Sequence, residues 1–335
     1  MKTDRRGHAR WLRVADAGLL STVQDRGRRH AGSMGVSPSG ALDWFSASAA
    51  NRLVGNPAAA ALIETTLAGI ALSFESDARV AVTGAQAIVS IGGLARDVWR
   101  SNDVRAGETL VIGPATRGAR SYVAVDGGIQ VPRVLESAST DVGAGFGGFR
   151  GRRFEAGDRI ELAPGAGRDP AIPHLALRPS DIPLWSSRTT LAALLGPHAE
   201  ALSARAMALL CEREFRVTHA SNRQAIRFEG QPLDAAPADV VSCGVCAGCV
   251  QITSDGLPLA LLAEHQTTGG YAVALCVTTA ELPRAAQLRP GDSVHFVRST
   301  HADARASLDA LARRLRQVVE TTDAAALAAG FFEGA

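Results

Sequence analysis

From Leu62 onward the chain keeps returning to one device: a short run alternating apolar and polar residues, closed by a turn rich in glycine. ALIETTL (61–67), IALSFES (70–76), ARVAVTGA (78–85), AIVSIGG (87–93), TLVIG (109–113), SYVAVDGGI (121–129) and RIELA (159–163) all follow it. A period of two places successive side chains on opposite faces, the pattern of a half-buried strand. Turns recurring about every 8–12 residues argue for a barrel or a sandwich. One motif appears three times, as VRAGETLVI (104–112), FEAGDRIEL (154–162) and LRPGDSVHF (288–296). Two copies in the first half and one near the end of the second suggest two barrel-like units and exclude a solenoid.

Helical spacing is confined to a few places. Ser37-Pro38-Ser39-Gly40 is turn chemistry, and a helix is expected from about Ala41 to Leu53, with Ser39 as its cap and Asp43 in its first turn. A second helix is expected from Ala199 to Leu210. A third, amphipathic one is expected in the tail, where Leu308, Leu311, Leu315, Val318 and Val319 fall on one face. The segment 18–32 is polar and bounded by glycine, and reads as a surface loop. The Pro- and Gly-rich stretch 164–184 reads as a linker. The chain thus divides into a domain at 11–172, a second at 185–299 and a helical tail at 300–335.

Charge narrows the function. A net +2 gives no electrostatic case for nucleic acid or an anionic membrane as partner. No apolar run approaches the ~20 residues of a membrane helix, and the charged start leads into no signal core, so a cytoplasmic protein is expected. Lys2 is the only lysine. A P-loop, a Schiff base or a biotinylated lysine within the chain is therefore not expected; ATP or biotin would be carried by a partner, or nucleotide would be bound here without a lysine. The glycine-dense stretch Val142–Arg153 is followed by no helix pattern and reads as a loop. Cys243, Cys246 and Cys249 form a C-x2-C-x2-C run without a following fourth cysteine and proline, which reads as small residues beside a sheet; no metal is expected.

One stretch carries more polarity than a turn requires. Between the apolar runs of LLAEHQTTGGYAVALC (261–276) stand Gln266, Thr267, Thr268, Gly269, Gly270 and Tyr271. A hairpin could use the two glycines alone. The amide and hydroxyls add donors and acceptors, and glycine lets a ligand approach the backbone.

GLLSTVQDRGR (18–28), GVSPSGALDWFSASAANRLVGNPAAAALIETTL (35–67), YVAVDGGIQVPRVLESASTDVGAGFGGFRGR (122–152) and LLAEHQTTGGY (261–271) together resemble the biotin-dependent carboxyltransferase family. This is the group of the KipI antagonist, allophanate hydrolase subunit 2 and the 5-oxoprolinase C subunits. The resemblance runs from about residue 12 to 298. Gln24, Asp25, Gly27 and Arg28 match VQDxGR, and Pro38, Ser39, Gly40 and Asp43 match PPSGAMD. Asn51, Gly55 and Asn56 match ANxLVGN, and Gln266 to Tyr271 match QTTGGY. SNRQAIRFEG (221–230) departs from the family's SDRMGYRLEG, losing its Asp, Met, Gly and Tyr at Asn222, Gln224, Ala225 and Ile226, and the cysteine run replaces a hairpin without cysteine.

The resemblance implies a mainly β protein of two tandem cyclophilin-like barrels with short helices and a C-terminal helix. It implies work within an ATP-dependent 5-oxoprolinase, opening 5-oxoproline to glutamate with little turnover alone. The implied partners are a KipI-like chain of the B type and a LamB/YcsF-type chain of the A type. The alternatives are the carboxyltransferase half of a biotin-dependent urea or amide carboxylase, and a regulatory protein that sequesters a KipI-like inhibitor. Either reaction acts on a small amide whose oxygen gathers charge and needs preorganised donors. Gln266, Thr267 and Thr268 are the expected catalytic donors, with Asp25 or Asp43 as base. Gln24, Arg28, Ser39, Asn51, Gly269, Gly270 and Tyr271 are expected to bind substrate, Arg28 by gripping a carboxylate.

Overall fold

The computed structural model describes residues 9–165, 167, 169, 171, 173–233 and 240–321. Its first half folds as two sheets. Arg10–Asp16, Ala71–Phe74, Val89–Ile91, Leu94–Arg96, Thr109–Ile112, Ile129–Gln130 and Arg159–Leu162 form a seven-stranded sheet. Leu20–Gln24, Leu62–Thr66, Ala78–Gln86, Ser101–Val104 and Arg117–Val125 form a five-stranded one. Alternation fixes which side chains turn inward: Leu12, Val14, Leu72, Phe74, Val80 and Ile160 are buried in one apolar cluster.

The second half closes into a seven-stranded barrel made of Arg188–Leu195, Glu214–Val217, Ala225–Glu229, Cys249–Ile252, Pro258–Leu261, Ala272–Val277 and Ser293–Arg298. Closure comes from the first of these, antiparallel to Ala272–Val277 on one side and parallel to Ser293–Arg298 on the other. Phe215, Phe228 and Phe296 meet in its core with ring centroids 5.8–6.5 Å apart. Every strand expected from alternation in the first half is present, so the chain is mainly β.

The threefold motif is one turn built three times. Gly107, Gly157 and Gly291 have φ of 87°, 97° and 92°, the sign a type II turn needs at its third position. In each copy an acidic side chain accepts from the backbone N–H three residues earlier: Glu108 from Arg105, Asp158 from Glu155 and Asp292 from Arg289, each at 2.8 Å.

Four α-helices, with three single-turn 3-10 helices, complete the described residues: α1 (Trp44–Leu53), α2 (Ala204–Glu212), α3 (Leu282–Ala286) and α4 (His301–Leu315). α1 begins three residues later than expected, because Asp43 itself is the cap, accepting from Ser46 N at 2.9 Å. Ser39 instead sits in the preceding turn with φ +51°. Segment 18–32 is not all loop. Leu20–Gln24 is an edge strand on Leu62–Thr66, its Ser21 and Thr22 buried, with the Ser21 hydroxyl donating to Ala17 O at 2.8 Å.

The tail differs as well. α4 stops at Leu315, and Val318–Thr321 pairs antiparallel with His174–Leu177, a strand inside the expected linker. β-branched Val318 and Val319 favour a strand over another helical turn. Residues 322–335 of the expected helical tail lie outside the described residues. Leu311 and Leu315 pack beside Phe45, Trp99 and Leu177, returning the end of the chain to the first half.

Candidate functional site

The strand Leu20–Gln24 delivers the QDRGR loop onto the SPSG turn. Arg28 N donates to Pro38 O at 2.7 Å and Ala41 N to Asp25 O at 2.9 Å. Contact is so close that a Cβ on Gly27 would lie 2.5 Å from Ser39 O. The turn also reaches the barrel, with Ser39 N donating to Ala263 O at 2.9 Å and Leu42 buried in the barrel's core cluster.

Several polar side chains picked out from the sequence are occupied by this packing. Gln24 is fully buried; its amide donates to Thr22 Oγ1 at 3.0 Å and Thr140 O at 3.1 Å, and accepts from Gly40 N at 3.2 Å. Asp25 accepts from the Ser137 and Ser139 hydroxyls at 2.6 Å each, from Ala138 N at 2.7 Å and from Gly27 N at 2.8 Å. Burial alone would raise its pKa, but these donors outweigh burial and hold it below the usual carboxylate value. Arg28 is buried, its guanidinium 4.5 Å from the Phe146 ring centre and donating to Val134 O and Ser139 O. It is held by the protein rather than presented to a ligand.

Asp43 is fully buried and accepts from Ser46 N at 2.9 Å, Ser46 Oγ at 2.5 Å and Gln287 Nε2 at 2.8 Å. Burial pushes its pKa up to about 6. That is the geometry of a helix cap. Asn51 donates to Ala60 O at 2.9 Å and its Oδ1 accepts from Asn56 at 3.2 Å.

Between the two halves lies a cavity of about 440 Å³, which Asp43 does not border. Asp25, Arg26, Arg29, Ser39 and the α1 residues Ser48 and Asn51 form one wall; Ala247, Leu262, Ala263, Leu282 and Leu308 form much of the other. Its lining is mostly apolar with a few polar groups, the usual make-up of a small-molecule site. Arg26 and Arg29 are exposed, and neither has an ion pair or side-chain hydrogen bond among the described residues. The exposed cations of this loop that face the cavity are thus Arg26 and Arg29, while Arg28 is buried. Sequence position hides them, since only the flanking residues match the family pattern.

The polar stretch follows Ala263 in the chain, and none of Gln266 to Tyr271 lines the cavity. Three residues beyond Ala263, Gln266 is exposed, as are Thr268 and Tyr271, while Thr267, Gly269 and Gly270 are half-buried. Thr268–Gly269 is a short strand paired with Cys243–Gly244, and Val245 N donates to Thr267 O at 3.1 Å. The side chains of Gln266, Thr267, Thr268 and Tyr271 have no hydrogen-bond partner among the described residues. Their donors and acceptors are open. Below them Gln251 is fully buried with both amide atoms unpartnered, its Nε2 2.5 Å from where a Cβ on Gly269 would be.

The residues that fix the cavity's two walls escape the sequence reading. Arg223, inside the stretch that departs from the family pattern, is buried and binds Glu64 across the halves. It also donates to Glu264 at 2.5 Å and to Gly40 O at 2.7 Å. Glu64 accepts from Tyr122 Oη and Leu42 N, both at 2.9 Å. Gln287 is a second bridge, accepting from Ala119 N at 2.9 Å and donating to Arg120 O at 2.9 Å. A carboxylate in a strand whose other residues, Leu62, Ile63, Thr65 and Thr66, carry no charge is the signal that could have marked Glu64.

Comparison with known proteins follows these stretches. A family model described as "Carboxyltransferase domain, subdomain A and B" matches residues 34–298. The chain is 34% identical over 296 residues to the C subunit of 5-oxoprolinase from Escherichia coli (strain K12), covering 88% of this chain and 93% of that one. It is 33% identical over 284 residues to the C subunit of 5-oxoprolinase from Haemophilus influenzae, covering 84% and 89%. Among solved structures, K. lactis urea amidolyase superimposes with a TM-score of 0.85 at 25% identity, over 93% of this chain and 21% of that much longer one.

Proposed function

Because the chain belongs to the carboxyltransferase-domain family, subdomains A and B, and matches 5-oxoprolinase C subunits along nearly its whole length, we propose that it is the C subunit of an ATP-dependent 5-oxoprolinase. In this reading water adds across the lactam C–N bond of 5-oxoproline to give glutamate, with ATP hydrolysis driving the opening. ATP is held by the KipI-like and LamB/YcsF-type partners, consistent with a chain whose only lysine is Lys2.

The observation that carries the reading is the cavity between the halves, with two unpaired arginines on one wall; the open polar strand begins three residues along the chain from Ala263, which lines the other. Arg26 and Arg29 grip the substrate carboxylate. Gln266, Thr267 and Thr268, with the backbone of Gly269 and Gly270, supply donors to the amide oxygen as charge develops on it. Asn51 borders the cavity and Tyr271 stands exposed at the end of the open strand. Gln24, Asp25, Arg28, Ser39 and Asp43 serve by holding the loops and α1 in place. Asp25, already accepting four hydrogen bonds, is a poor base.

Mixing the chain with its two partners, ATP and 5-oxoproline is expected to release glutamate and ADP, with little turnover by the chain alone. Gln266→Ala should lower kcat about 10²–10³-fold while the melting temperature stays within a few degrees of wild type. Arg26→Ala/Arg29→Ala should instead raise KM about tenfold or more, the worth of a charge-assisted contact. Full activity in Gln266→Ala would remove the strand from the site. The likeness to urea amidolyase favours a second reading, transfer of a carboxyl group from carboxybiotin to urea; carboxylation of urea, with no turnover of 5-oxoproline, would establish it.

A further inference from the structure

The cysteine run stands where the cavity wall meets the polar strand. Cys246 and Cys249 close a tight turn, with Cys249 N donating to Cys246 O at 3.1 Å and Gly248 at φ +96° between them. Their sulfurs are 3.6 Å apart, and Cys246 N donates to Cys249 Sγ at 3.4 Å. Cys246 is exposed and Cys249 buried. Ala247, between the two, lines the cavity; Val245 bonds Thr267 O; and Cys243–Gly244 carries the pairing to Thr268–Gly269.

We propose that Cys246 and Cys249 are a reversible oxidation site, a dithiol that a peroxide converts to a disulfide and that thereby tightens the hairpin holding Thr267–Gly269. A disulfide needs its sulfurs at about 2.05 Å, so closing from 3.6 Å asks for a movement of about 1.5 Å at a turn that already points the side chains together. Breaking the peroxide O–O bond places oxygen on the exposed Cys246 sulfur as a sulfenic acid and releases an alcohol or water. The Cys249 sulfur then forms the S–S bond and the oxygen leaves as water, so two electrons pass from the two thiols to the peroxide. Hydrogen bonds from the Cys246 thiol and from Cys276, opposite Cys249 in the barrel, pull the Cys249 pKa down, which suits Cys249 to be the attacking thiolate of the second step. The same contact pushes the Cys246 pKa up, so exposure rather than acidity is what offers Cys246 to the peroxide. A metal centre is the competing reading of three nearby thiols, but no group of three metal-binding side chains is suitably arranged among the described residues.

The test needs no partner protein and does not depend on the catalytic assignment. The whole chain is treated with a small excess of hydrogen peroxide; thiols are titrated and disulfides mapped by mass spectrometry without reduction. The expected result is a fall from five free thiols to three, a Cys246–Cys249 link in the mapped peptide, and recovery of all five with dithiothreitol. Cys246→Ser and Cys249→Ser should each lose the link, and Cys211→Ser should keep it. Amide exchange across Thr267–Gly269 should slow severalfold on oxidation of wild type and stay unchanged in Cys246→Ser. A Cys249–Cys276 link, survival of all five thiols, or oxidation that leaves exchange unaltered would overturn the proposal.

Discussion

Asp25 illustrates how a single side chain can be chemical in kind and architectural in use. Four donors converge on one carboxylate, so Asp25→Asn leaves at least one N–H facing another and should cost about 1–3 kcal/mol at pH 7. The folded-state pKa lies below the unfolded value of 3.8, so this stabilisation is complete above that pH and is lost as pH falls through the folded value. Urea denaturation should therefore show a gap between wild type and Asp25→Asn that is widest near neutrality and narrows below the unfolded pKa; a gap that widens in acid would contradict it. Asp43 slopes the other way. Its pKa of about 6 is raised by burial, so the stability linked to it is present below 3.8 and fades as pH rises through 6. The sequence makes such residues legible as polar groups in an apolar setting. It does not distinguish a polar group that serves a ligand from one that binds its own chain, which is why Gln24 and Arg28 read as binding residues and Asp25 as a base while Arg26 and Arg29 do not.

At the scale of elements, what is legible is what repeats locally. The Ala/Pro-Gly turn with its acidic residue carries its whole geometry in four positions, and all three copies adopt it. Leu20–Gln24 is hidden because its polar side chains are satisfied by residues such as Thr140, more than a hundred positions away. Gly269 shows the same non-local control. It reads as a turn glycine, yet its need is for space, since Gln251 Nε2 occupies the region a methyl would enter. Gly269→Ala should cost about 1–3 kcal/mol as overpacking and shift the strand enough to lower turnover. Gln251→Ala, which removes an amide with no partner, should restore much of that loss in the double variant. A double-mutant cycle measured by chemical denaturation checks this, and strictly additive costs would show that the two residues do not meet.

At the scale of the molecule, the cavity exists only because two separately built sheet systems are held in one relation. Besides the Gln287 bridge, the chain secures them in two further ways. α4 and Val318–Thr321 carry the end of the chain back onto α1 and His174–Leu177. Within the contact, Arg223 from the second half joins Glu64 from the first and Glu264 from its own. No local pattern foretells this, because each partner lies in an otherwise ordinary segment and the pairing spans more than 150 residues. Arg223→Ala leaves two buried carboxylates facing each other and should cost about 3–5 kcal/mol, far more than an exposed pair would. Replacing the carboxylates as well, in Arg223→Met/Glu64→Gln/Glu264→Gln, removes the stranded charges and should recover at least half of that loss. Recovery of stability need not recover function, since a methionine offers nothing to Gly40 O and the SPSG turn is no longer drawn towards the barrel. The expected outcome is thus a triple variant that regains much of its melting temperature but, on the function proposed above, binds 5-oxoproline weakly. A single Arg223→Ala variant that loses less than about 1 kcal/mol would show that apolar contact alone holds the cavity's walls in register.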